Sequence, residues 1–160
     1  MLRFAENAVE QLASYIDANY AAKLAQIETD QGLTSGALGR PGTCDRADMT
    51  FVADPRDGLI EVYETRSGPE SLKDTSIHRY HIAVAITLLA ADGDMKALQL
   101  RFRRWESAWW LLMGRGANNL GGTVGGCLCS EFSKDSAKVG SLQVCAGVAL
   151  VQVLNQESAT

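Results

Sequence analysis

Apolar residues recur at helical spacing at the start of the chain: Phe4, Ala8, Val9, Leu12, Tyr15, Ile16, Tyr20, Leu24 and Ile27, with Glu6, Glu10, Asp17 and Lys23 between them. One apolar stripe with a period near 3.6 predicts an amphipathic helix over Phe4 to Ile27. The period then becomes two. Gly58 opens the run Leu59 to Thr65, a first strand that the Ser67-Gly68-Pro69 turn signal is expected to close. From Ile77 to Leu89 one parity carries Tyr80, Ile82, Val84, Ile86 and Leu88, and the other carries Arg79, His81, Ala83, Ala85 and Thr87. That alternation predicts a second strand with one buried face, whose weaker face has residues small enough for a neighbour to cover.

After Asp92-Gly93-Asp94 the helical period returns. Leu98, Phe102, Trp105, Trp109 and Leu112 step by four, three, four and three, with Asp94 as N-cap and an end near Gly114 to Gly116. Gly121-Gly122 leads into a third strand over Thr123 to Phe132. Lys134-Asp135-Ser136 is expected to separate it from a last strand over Leu142 to Leu154. The order is therefore α-β-β-α-β-β. Strands joined in pairs by short turns make hairpins, so the fold class is α+β: a largely antiparallel four-stranded sheet with two helices packed on it. The core should hold Leu98, Phe102, Trp105 and Trp109 against that sheet.

Between the first helix and the first strand, Thr29 to Asp57 carries Gly32, Ser35-Gly36, Gly39, Pro41-Gly42 and Asp54-Pro55, with only a brief apolar Met49-Thr50-Phe51-Val52. This reads as one long loop inside a single domain over 1–160. A loop of that length tends to be functional or ordered by a partner.

Composition narrows the function classes. The 160 residues are 46% hydrophobic and 21% charged, ordinary for a globular domain, and the net charge of -4 has the wrong sign for a dedicated nucleic-acid binder. Cys44, Cys127, Cys129 and Cys145 do not form a disulfide framework, and the C-x-C pair lacks the partners of a zinc site. They read as buried, reduced thiols. The longest apolar run, Ile82 to Ala91, falls well short of the ~20 residues a membrane-spanning helix needs.

No catalytic, metal-binding or cofactor-binding set emerges. His78 and His81 stand three apart on a strand and so face opposite ways. No nucleophile elbow accompanies a serine, and the Gly-rich turns follow a helix and precede a strand, the reverse of a phosphate loop. Asp45, Asp48, Asp54 and Asp57 match no calcium loop. Lys96, Arg101, Arg103, Arg104 and Arg115 make the second helix the most basic stretch, beside Trp105, Trp109 and Trp110. Because Trp105 and Trp109 belong to the core stripe, this helix reads as protein-facing more than nucleic-acid-facing. The residues thus point to a non-enzymatic, assembling subunit. Two readings stand beside it: a small-ligand-binding or enzymatic domain with its pocket under the long loop, and a nucleic-acid module using the basic helix.

Three segments carry a family resemblance. His78-Arg79-Tyr80-His81-Ile82-Ala83-Val84-Ala85-Ile86 resembles the central strand of the tail terminator and tail completion proteins of long-tailed, siphovirus-like phages, to which head-to-tail neck proteins are related. Asn119-Leu120-Gly121-Gly122 is similar to the turn after their second helix, and Gly147 to Leu154 to their final strand. The stretch Thr34 to Cys44 departs from the pattern by its length. The resemblance implies a structural virion protein, assembled in the host cytoplasm. Its subunits would form a ring, commonly of six, that ends tail growth and joins the tail to the head. The implied partners are copies of itself, the tail tube protein and the head-to-tail connector or neck protein. DNA would pass through the lumen without specific binding, and no membrane or cofactor would be involved. A head-to-tail connector subunit is the near alternative.

A ring repeats one heterologous interface, so each subunit needs two complementary surfaces. An acidic loop beside an arginine-bearing helix could supply them, and the expected contact residues are Phe51, Asp54, Arg56, Asp57, Arg101, Arg104 and Trp110, with Phe51 and Trp110 as apolar anchors.

Overall fold

The computed structural model of the chain describes residues 5–40, 45–46, 58–71, 74–91, 94–114, 119–122 and 124–156. Helix α1 spans Ala5–Asp30, and Ala8, Leu12, Ile16, Tyr20 and Leu24, each four residues apart, are fully buried along one side of it. It runs three residues past the expected Ile27. The stop comes at Gly32, where the Gly32 amide donates to the Thr29 carbonyl and the Leu33 amide to the Glu28 carbonyl, the bond pair that satisfies the last free carbonyls of a helix. Helix α2 spans Met95–Met113. Asp94 caps its start by accepting from the Lys96 amide at 2.9 Å, and Gly114 ends it.

The sheet consists of β1 (Asp45–Arg46), β2 (Leu59–Ser71), β3 (Asp74–Ala91), β4 (Gly126–Val139) and β5 (Leu142–Gln156), in the order β1-β2-β3-β5-β4. Its four long strands pair antiparallel throughout: hairpins β2-β3 and β4-β5, joined in the middle by β3 and β5. This is the expected α+β arrangement. The two-residue β1 adds a parallel contact beside Glu61 and Val62 that no pattern in the loop announced.

Two turn assignments need correction. Ser67-Gly68-Pro69 does not end the first strand; β2 continues through it to Ser71, with register shifts after Glu64 and Pro69. Along this stretch no described strand pairs with the other side of β2, and a proline is tolerated where its missing N–H can face away from the ladder. Likewise β4 runs through Lys134-Asp135-Ser136 to Val139, and the hairpin turns at Gly140 and Ser141. β4 is the other edge, so polar residues on it cost little burial. The tight two-residue turn uses Gly140 at φ +63°, a conformation glycine adopts without steric penalty.

Both helices lie on one face of the sheet, α1 over β2 and β3 and α2 over β3, β4 and β5. Leu98, Phe102, Trp105 and Trp109 of α2 are all buried there, as their spacing required. Tyr20 fixes the helix pair: its hydroxyl donates to the Trp105 carbonyl at 2.6 Å, and its ring stands edge-on to both tryptophans. Close packing reaches the backbone at Gly58 (φ +92°), where a Cβ would lie 2.2 Å from the Trp105 ring.

The long loop is only partly a loop. Thr29 and Asp30 are helical, and residues 31–40 fold back as turns onto α1 and α2. Leu38 is buried, and its carbonyl accepts from both Trp105 Nε1 at 2.8 Å and Arg101 Nε at 2.9 Å. Glu28, also buried, accepts from the Gly36 amide at 2.6 Å. Arg40 Nη1 stands 2.6 Å from Glu28 Oε1, off the line of a straight hydrogen bond, so that contact is an ion pair. Burial alone would push the Glu28 carboxyl up. The Arg40 guanidinium and the Gly36 and Ala37 amides outweigh burial and hold it below the usual carboxylate range.

Candidate assembly surfaces

Strand alternation gives the sheet two unlike faces. Toward the helices point Ile60 and Val62 of β2, Tyr80, Ile82, Val84, Ile86 and Leu88 of β3, Cys127 and Cys129 of β4, and Cys145, Ala149, Val151 and Val153 of β5, all buried. The opposite parity forms a second face on which no described helix packs, although Leu59 and Ala83 on it are buried. The register places Tyr63, Ala83 and Leu150 in one row there, Ala85 and Val148 in the next, and Leu142 beside Val139 at the β4-β5 turn. Among the described residues, Leu128, Val139, Leu142 and Leu150 are exposed on this face, at 42%, 63%, 41% and 41%. Exposed large apolar side chains gathered on one sheet face are a mark of a binding surface.

Charge on the open face is segregated. At the β2-β3 end Arg66 pairs across from His81, and Arg79 lies one row further along the same face. These residues line a shallow cleft of about 330 Å³. Burial, then Arg66 and Arg79, push the His81 imidazole below its ordinary range and favour its neutral form. On the β4 side the charges are Glu131 and Asp135, opposite Leu150 and Ala146. Glu61, opposite Ala85, is the acidic group of β2 on this face.

The other large apolar groups in water, Leu100 (47%) and Leu111 (42%), both lie on α2. Helical spacing sets them on its outward side with Lys96, Arg103, Arg104 and Ser107, away from the buried stripe. α1 is different. Its exposed charged positions, Glu10, Asp17 and Asp30, are all acidic, and Ala18 and Ala22 leave its outer surface low.

The residues expected to form contacts are placed unevenly. Phe51, Asp54, Arg56 and Asp57 lie outside the described residues. Arg104 is half-buried at the margin of the outward face of α2. Arg101 is committed inside the subunit through its bond to Leu38. Trp110 is half-buried against the core. What the sequence reading missed is the open sheet face, although its signal was there: in β5 both parities are apolar, the pattern of a strand covered on two sides.

Little in the site points to reaction chemistry. A cleft of about 220 Å³ lies between α2 and the β4-β5 hairpin. Of its polar lining, Lys134 is paired with Glu106, and Gln99 donates to Ser136. Burial raises all three described thiols, Cys127 to about 12, while Cys129 accepts from Trp109 Nε1 at 3.4 Å; protonated thiols of this kind are poor nucleophiles. His78 and His81 lie on opposite faces of β3, and among the described residues no three His, Cys, Asp or Glu side chains gather as metal ligands. No described helix is long and apolar enough to cross a membrane. No protein-family model and no curated protein matches the chain.

Proposed function

We propose that the protein is a structural virion subunit, a tail terminator of a long-tailed phage. It works as a closed ring that caps the tail tube, ends tail growth and presents a docking surface to the head side. The observation that carries this reading is the open sheet face. A monomeric enzyme of this size has no use for four exposed Leu and Val side chains on one sheet face, whereas a subunit that completes its core against a neighbour does. The α-β-β-α-β-β order of the long elements agrees with the resemblance of the His78–Ile86, Asn119–Gly122 and Gly147–Leu154 segments to that family. The net charge of -4 suits a conduit wall that must not grip DNA.

The test is capping. Tubes polymerised from purified tail tube protein should stop lengthening when the protein is added, with its density at one end in negative stain. Tubes that grow unchanged, with no end density, would refute the reading.

A further inference from the structure

Resting on the reading of the chain as a self-assembling subunit, we propose that neighbouring copies stack head to tail. The outward side of the helix layer of one subunit covers the open sheet face of the next. The occupant of that face is thus a second copy of this chain, presenting α1 and α2.

Three observations meet in this arrangement. First, the large exposed apolar side chains among the described residues fall on these two surfaces and no others: Leu128, Val139, Leu142 and Leu150 on the sheet, Leu100 and Leu111 on α2. The surfaces lie on opposite sides of a two-layer domain, as a repeating heterologous contact requires.

Second, the charges match in order as well as in sign. α2 lies over β5 and its two neighbours, β3 and β4, and α1 over β2 and β3. Shifting a copy along the sheet normal, without turning it in plane, therefore brings the α2 of one subunit under β4 and β5 of the next. Arg103 and Arg104 then meet Glu131 and Asp135, the latter of which also borders the cleft that Arg103 lines in its own subunit. The same shift brings the acidic α1, with Glu10 and Asp17, under the corner formed by Arg66, Arg79 and His81. Glu61 stands as the acidic exception on that half. Turning the neighbour by half a turn in plane would set arginine against arginine, so charge fixes the register. A small tilt per copy then closes the stack into a ring.

Third, the dimensions agree. β5 has 15 residues. At about 3.3 Å per residue and about 4.8 Å between strands, the four long strands present a face on the order of 900 Å². One partner in a standard protein interface contributes about 800 Å². Four strands are about 19 Å wide, the width of two helices side by side at about 10 Å each. Ala18 and Ala22 on the outer side of α1 permit a close approach.

The experiment is a charge swap read by native mass spectrometry of the full chain. One variant reverses the helix surface, R103E with R104E; the other reverses the sheet surface, E131K with D135K. Arg103, Glu131 and Asp135 are exposed and Arg104 is half-buried, and unchanged thermal melting of each variant checks folding. Wild type should show the ring mass. Each variant alone should lose at least tenfold of that signal, and an equimolar mixture should regain it as even-numbered assemblies with the two variants in equal amounts. Wild-type rings with both variants assembling normally, or with no rescue on mixing, would overturn the head-to-tail contact and leave the ring reading intact. A wild-type chain that stays monomeric at every concentration would overturn both.

Discussion

The two faces of one sheet set a core beside the face we propose as an interface. The helix-covered face and the open face are built from the same strands, and in β3 and β5 from alternate residues of the same segments. On the covered side the residues are large and tied by directional bonds: Trp105 to Leu38, Tyr20 to Trp105, Trp109 to Cys129. The open side carries Ala83, Ala85, Val148, Leu150 and Leu142, with Glu61, Glu131 and Asp135 on the outer strands and Arg79 and His81 toward one end of central β3. A surface that must stay soluble before assembly and dry afterwards is apolar in the middle and charged at the rim. The covered face has no such constraint.

The contrast predicts unequal costs for removing a side chain. Trp105→Ala should have the largest effect. It empties the centre of the helix-sheet core and removes one of the two donors to the Leu38 carbonyl, so a loss of about 3–5 kcal/mol in urea unfolding is expected. A loss below about 1 kcal/mol would mean that the core lies elsewhere.

The Glu28 lock comes next. Because its pKa is held down in the fold, the charged carboxylate stabilises the folded state above the unfolded value of about 4.3, and this contribution is lost as the pH falls through the lower folded value. Glu28→Gln keeps the acceptor for the Gly36 amide but loses the Arg40 ion pair, and Arg40 is partly in water. A cost of about 1 kcal/mol at pH 7 is expected. The difference from wild type should shrink in the acid limb, and a difference that stays constant from pH 7 to pH 3 would show that the pair does not titrate with folding.

The smallest effect belongs to the open face. Leu150→Ser should change the stability of the dilute, isolated subunit by less than about 0.5 kcal/mol, because its side chain is already 41% exposed. The same substitution should weaken assembly. An isolated subunit destabilised as strongly as by Trp105→Ala would show that this face is core.

The sequence revealed the covered face and only hinted at the open one. Period-four stepping through Ala8 to Leu24 and the Leu98-to-Leu112 stripe each name a helix and its buried side, because burial on one side imposes a period. Turn signals were less reliable. Gly68-Pro69 and Lys134-Asp135-Ser136 read as breaks, yet the first lies in β2 beyond its pairing with β1 and the second in edge strand β4, where among the described residues the ladder runs on one side only. Arg101 shows the limit of reading charge along a helix: its position on α2 suggested a partner, and the backbone of residues 31–40 claimed it instead. That contact joins residues 63 apart in sequence and leaves no local pattern. The open face was hidden for another reason. Apolar residues on both parities of β5 mean two-sided cover, but nothing in one chain's pattern tells whether the cover comes from its own helices or from a neighbour.

The central claim is that the open sheet face is covered by another copy of the chain, and an electron cryomicroscopy map of the assembled protein tests it most directly. The account predicts a closed ring in which Leu142 and Leu150 of each subunit are buried against the helix layer of the next. A ring with those two side chains facing solvent, or particles no larger than one subunit, would contradict it.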